Sequence, residues 1–191
     1  MIITIGREYG CNGHRIGELV AEKLGVKLYD KNSLAEEARK TDYYEDLQAF
    51  YEETPVNSLL YVIATRSYNG GKQGEIPFAF IRKIAEKEPC VIIGRCGNYV
   101  LRNHPDAVNV FIHQPMKDRI ARIMEVHGVS ESKAEHMIER EDKAREGFHT
   151  YYTDEKWNIA DGYDLTINSS SMSEDTVADI IIAFAQKKGG K

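Results

Sequence analysis

IITIGREYGCNGHRIGELVAEKLG, residues 2–25, is the stretch whose reading decides the fold. Ile2, Ile3, Thr4 and Ile5 form a short β-branched run, the pattern of a strand buried on both faces. Glycines at 6, 10 and 13 then mark a loop. From Arg15 onward Ile16, Leu19, Val20 and Leu24 recur at helical spacing, and Gly25 stands where a left-handed residue closes a helix. A glycine loop between a strand and a helix leaves backbone N–H groups free to converge on an anion at the positive end of the helix dipole. Arg7, His14 and Arg15 add charge there. The other use of such a segment is a tight strand-to-helix turn without a ligand.

Working outward, residues 26–29 read as a second strand ending at Asp30, and 33–40 has helical composition. Residues 42–53 are less regular, Thr54 and Pro55 signal a helix start for 59–65, and 68–77 is a glycine-containing loop. A helix over 78–87 leads to Cys90–Ile93, a short apolar run of buried-strand type closed by Gly94. Val108, Val110 and Ile112 give another strand, followed by a helix over 116–127 and a long polar helix from about 130 to beyond 145. Residues 163–167 read as a fifth strand, and Ser173 caps an amphipathic C-terminal helix. Strands alternating with helices predict an α/β fold, a five-stranded parallel sheet with helices on both faces. At 191 residues the default is a single domain, 1–191.

Composition narrows the function classes. Hydrophobic residues make up 42% and charged residues 29% of the chain, a globular balance. A net charge of -5 argues against a nucleic-acid polymer as partner, since phosphate-backbone binding needs a concentrated basic surface; a local basic pocket for a small anion stays open. Neither an export leader nor an apolar run of ~20 residues is visible, so a cytoplasmic location is expected, without a membrane. Cys11, Cys90 and Cys96 lack CxxC spacing, which predicts reduced thiols and no metal site. The loop is no Walker A sequence, because His14 and Arg15 follow Gly13. It is no GxGxxG either, although Asp30 sits where a dinucleotide fold would put its ribose-binding acid, so that alternative stays open.

Six segments carry a more specific resemblance: residues 3–25, LYDKNSL (28–34), CVIIGRCGNYVL (90–101), HPDAVNVFIHQPMKDRIARI (104–123), EREDKAR (139–145) and YDLTINSS (163–170). In this order they resemble the cytidylate kinase-like family, divergent relatives of bacterial cytidylate kinases among the P-loop nucleoside monophosphate kinases. The resemblance implies a P-loop kinase core with the first strand central, between the third and fourth. It implies ATP and Mg2+ as cofactors, with the phosphates over Gly10, Cys11, Asn12, Gly13, His14 and Arg15, and Arg7 and Arg119 nearby. A helical acceptor-binding insert would span 30–89 and a lid about 130–152. Arg95, Arg140 and Arg145 are the catalytic residues the resemblance implies, with Lys143 a further basic lid position; Asp30, at the carboxyl end of a strand beside the glycine loop, is the catalytic acid expected for Mg2+ or the acceptor, with Glu8 second. The partner would be a small phosphorylated acceptor, a nucleoside monophosphate first.

The sequence also departs from the cytidylate kinases. Gly13 stands at the position of their loop lysine, Cys96 at that of an aspartate, and Glu36 where a monophosphate-binding arginine is expected. Arg7 or Arg15 are candidates for the missing charge, and Arg39, Lys40, Arg66 and Lys72 for the missing acceptor contact. The resulting expectation is a nucleotide-dependent phosphotransferase; the alternative is a nucleotide-binding protein without transfer activity. Two residue-level readings stay balanced. Asp30 is equally a helix cap, and the Glu139, Glu141 and Asp142 interleaved with the lid cations equally suit an exposed helix with ion pairs.

Overall fold

The computed structural model describes residues 1–42, 44–51 and 75–189. Five strands, β1 (Ile2–Arg7), β2 (Lys27–Tyr29), β3 (Cys90–Ile93), β4 (Ala107–His113) and β5 (Leu165–Asn168), form one sheet in the order β2-β3-β1-β4-β5. Every pairing is parallel, with Ile3 opposite Val91 on one side and Val108 on the other. The first strand is therefore central, between the third and fourth, as expected.

Period-two geometry explains why the strands read as continuous apolar runs. Ile3 and Ile5 of β1, and Val91 and Ile93 of β3, face one core, while Ile2, Cys90 and Ile92 face the other. The first core is closed by α1 (Gly13–Leu24) and by the C-terminal helix α8 (Glu174–Gly189), through Ile16 and Val20 of α1 and Val177 and Ile181 of α8. The second is closed by α2 (Lys31–Ala38), α3 (Tyr44–Tyr51) and α4 (Glu75–Lys87), which supply Leu34, Leu47, Phe50, Tyr51 and Ile81, none more than 1% exposed. Each such side chain contributes about 1.5–3 kcal/mol relative to leaving it in water. Thr4, the one polar residue of the opening run, is satisfied by donating its hydroxyl to Asn109 Oδ1 on β4 at 2.7 Å.

Three further helices frame the carboxyl edge and its far side. A single turn, α5 (Gly97–Val100), follows β3; α6 (Met116–His127) follows β4; and α7 (Glu131–Thr153) is the long polar helix. A 3-10 turn, Ala160–Gly162, leads into β5. The expected helix starts need adjustment. α1 begins at Gly13, two residues before Arg15. α2 begins at Lys31, where Asp30 and Ser33 form a capping box, and ends at Ala38. Of the loop expected over 68–77, residues 75–77 belong to the first turn of α4, where Pro77 is tolerated since its N–H is not required. The fifth strand starts at Leu165, with Tyr163 ahead of it. The helix expected over 59–65, with Arg66 and Lys72, lies outside the described residues. None of the described helices is long and apolar enough to cross a membrane.

Candidate active site

At the carboxyl end of β1 the chain turns through the glycine loop. Glu8 N–H still donates to Ile112 O at 3.1 Å, so the ladder to β4 runs one residue past the strand. Gly10 adopts φ 87 and packs against α6: a methyl group there would lie 3.1 Å from Arg119 Cβ. Asn12 is left-handed (φ 59) and its side chain donates to Glu174 Oε1 at 2.6 Å, tying the loop to α8. Cys11 is buried and donates to Glu8 O. Burial pushes its thiol up to about 11, against the opposing pull of the Gly13 N–H, so it stays a thiol near neutral pH.

A pocket of about 450 Å3 opens beside this loop, where ligands settle in open α/β sheets. Five of its lining side chains are cationic: Arg7 from β1, Lys31 from α2, Arg95 after β3, and Lys143 and Arg145 from α7. Among the described lining residues the acid is Glu141, which accepts from its neighbour Arg140. Phe148, Trp157 and Tyr163 are aromatic residues of the lining; Tyr163 is held by donating its hydroxyl to Trp157 O at 2.7 Å.

Arg95 is the most constrained of these cations. Gly94, Arg95 and Cys96 are left-handed in succession (φ 71, 53 and 56). For the two residues that carry a Cβ this costs on the order of 1–3 kcal/mol each, strain of the kind that collects at functional sites. The Arg95 side chain is buried and donates through Nη1 to Phe50 O at 2.8 Å, and its Cζ lies 4.7 Å from the centre of the Phe148 ring. It thus ties α3 to α7 across the pocket. Cys96 is buried behind it, its thiol pushed well up by burial. Arg145 donates to Arg7 O at 2.9 Å and lies over the Tyr9 ring, bringing α7 directly onto the loop.

Several expected site residues lie elsewhere, each for a local reason. Arg140 is 72% exposed and paired with Glu141, on the outer face of α7. Arg15 pairs with Glu18 and Glu22 along the exposed side of α1, and His14 lies 3.4 Å from Glu18 and 4.0 Å from Asp30; neither is among the residues lining the pocket. Asp30 caps α2, accepting from Ser33 N–H and Ser33 Oγ, both at 2.9 Å. Burial alone would raise its pKa; the Ser33 bonds and nearby His14 outweigh that and hold it below the usual carboxylate range. Of its two balanced readings the structure realises the cap, and the adjoining Lys31 lines the pocket. Arg119 is also withdrawn. The residue is 5% exposed; its guanidinium bonds Asp142 of α7 and Tyr9 O and lies 3.4 Å from Glu8, while Asp142 accepts the Tyr9 N–H at 2.7 Å. Asp142, like Arg145, joins α7 to the loop.

Besides the aromatic residues Phe148, Trp157 and Tyr163, the sequence left Lys31 and His149 unremarked as site residues. Lys31 carried no signal beyond its place after a strand end. His149 is 3% exposed, lines the pocket, and has no hydrogen-bond partner at Nε2 among the described residues; burial pushes its pKa down to about 4, so it is neutral at pH 7. Helical periodicity would have pointed to it only if the face of α7 turned toward the sheet were known. Among the described residues no group of three His, Cys, Asp or Glu side chains is arranged to hold a metal ion. A Mg2+ that arrives on nucleotide phosphates needs only one or two carboxylates, and Glu141 is the acid among the described lining residues.

Comparison with known proteins places this geometry. A cytidylate kinase of Archaeoglobus fulgidus is 27% identical over 194 residues, covering 98% of this chain and 96% of that protein. A 101-residue segment is 31% identical to a uronate isomerase of Corynebacterium glutamicum, spanning 51% of this chain and 19% of that enzyme. Among solved structures, an uncharacterized protein from Eubacterium ventriosum superposes with a TM-score of 0.75 at 34% identity over 98% of both chains. A shikimate kinase from Acinetobacter baumannii has a TM-score of 0.54 at 13% identity, covering 100% of this chain and 94% of that one, a likeness of fold alone. The sheet order and these neighbours are those of a P-loop kinase core. The family model for cytidylate kinase-like proteins matches residues 2–171, from the first residue of β1 past the end of β5, and on that match the chain belongs to the cytidylate kinase-like family.

Proposed function

We propose that this chain is a phosphotransferase that moves a phosphoryl group from ATP, carried as its Mg2+ complex, to a nucleoside monophosphate of the cytidylate class. The observation that carries the reading is the convergence of Arg7, Lys31, Arg95, Lys143 and Arg145 on one pocket beside the glycine loop. Transfer of a phosphoryl group asks mainly for positioning and for neutralisation of charge spread over its oxygens, which clustered guanidinium and ammonium groups supply. The donor lies along the glycine loop and the acceptor in the pocket, with Phe148, Trp157 and Tyr163 toward its base. In this reading 30–89 is the acceptor-binding insert, about 130–152 is the lid, and the buried, unpaired cysteines suit a reducing cytoplasm. Neutral His149 adds a hydrogen-bonding group that leaves the phosphate to the cations.

Coupled ATP consumption with CMP, dCMP and UMP tests the proposal, alongside Arg95→Ala. Turnover with at least one acceptor is expected, with a loss on the order of 100-fold or more in the variant. A native chain that binds ATP yet transfers to no acceptor in a broad panel would refute it.

A further inference from the structure

Arg7 ends β1, and the glycines around it record the course of its side chain. A methyl group on Gly13 would lie 2.6 Å from Arg7 Cβ and 2.8 Å from Cγ; one on Gly94 would lie 2.5 Å from Arg7 Nη1. The Arg7 stem therefore runs along Gly13, and its guanidinium reaches over Gly94 at the end of β3. No side chain can stand at position 13 while Arg7 lies there. By the resemblance drawn from the sequence, position 13 is that of the cytidylate kinases' loop lysine. Arg15, the other candidate for that charge, is on the exposed side of α1 and is not among the residues lining the pocket. Arg7 instead lines the pocket together with Arg95 and Arg145, and Arg145 fixes the Arg7 backbone by donating to its carbonyl.

We propose that Arg7 is the phosphate-bridging cation of this chain, occupying the space and supplying the charge of the lysine that Gly13 replaces. The inference rests on the phosphotransferase reading above and gives its loop a specific residue. The Arg7 stem follows the glycine loop and its guanidinium reaches pocket-lining Gly94, a course that spans from the donor side to the acceptor side in this reading, and its planar donors can bind two phosphate oxygens at once. In the transfer the bond from the terminal phosphorus to the oxygen leaving with ADP breaks and a bond to an acceptor phosphate oxygen forms. Arg7 stays protonated throughout and only neutralises charge. Gly13 is then a consequence of the arginine: the two positions exchange one cation between them.

An exchange experiment tests this. ATP·Mg2+ is titrated by calorimetry into the native chain and into R7M, R7K, R7A, G13K, R7A/G13K and R15M, with coupled transfer to CMP measured in parallel. R7M keeps the stem beside Gly13 and removes the charge. It is expected to bind ATP at least about ten-fold more weakly and to lose on the order of 100-fold in transfer, with R7K in between. G13K alone falls below the native chain because two side chains compete for one space, whereas R7A/G13K regains about ten-fold over R7A. Thermal unfolding monitors folding, and if R7M does not fold the R7A/G13K comparison decides. Undiminished ATP affinity in R7M, native-like behaviour of G13K, no recovery in R7A/G13K, or a loss in R15M equal to that in R7M would each overturn the proposal. ATP binding without transfer to any acceptor defeats the phosphotransferase reading alone, leaving Arg7 to the titrations; a native chain with no affinity for ATP defeats both.

Discussion

Replacing Asp142 by alanine tests how α7 is fastened to the glycine loop. Asp142 accepts the Tyr9 N–H at 2.7 Å and bonds Arg119 Nη1, and the Arg119 side chain is only 7% exposed. Removing the carboxylate leaves a buried guanidinium with Glu8 at 3.4 Å as its remaining acid and an amide of the loop without an acceptor. Breaking a buried pair from one side costs about 3–5 kcal/mol. Asp142 itself is 20% exposed, so water relieves part of this, and about 3 kcal/mol is the expected loss. At this chain length that corresponds to a fall in Tm of about 6–12 °C. The assay is chemical and thermal unfolding of Asp142→Ala, Arg119→Met and the double variant. Partners that depend on each other should give a double variant less destabilised than the sum of the singles by at least about 1 kcal/mol. A loss under about 0.5 kcal/mol in Asp142→Ala, or strict additivity, would refute the argument.

Two further outcomes follow from the titrating groups. His149 has its pKa lowered from 6.5 to about 4 by burial, so between those values the unfolded chain binds a proton that the folded chain refuses. Its neutral form is without cost above pH 6.5, and stability falls, by at most about 3 kcal/mol, as pH drops toward 4. His149→Phe should flatten that slope in urea unfolding measured at several pH values, and an unchanged slope would assign the acid sensitivity elsewhere. Asp30→Ala should cost about 1 kcal/mol through loss of the α2 cap bonds from Ser33. Denaturation reads the stability, and a collapse of transfer beyond about ten-fold in a folded Asp30→Ala would mean that the carboxylate does more than cap.

The sequence by itself determined the elements and their class. Residues 2–25 specify strand, glycine loop and helix because β-branched runs, glycines and helical spacing act through local sterics and backbone freedom. The remaining apolar runs specify a parallel sheet because strands buried on both faces need helices over each. Motif order sufficed for the family. Which charges meet was decided only by the tertiary structure. Arg95 and Arg145, far apart in sequence, converge with Arg7 because β1 and β3 are neighbours in the sheet and α7 crosses their carboxyl ends. Arg140, five residues before Arg145, lies on the outer face of the same helix, and Arg119 is held by Glu8 and Asp142. The path of Arg7 along Gly13 was equally hidden: a glycine in sequence states that a side chain is missing, and only packing shows which side chain fills the space it leaves.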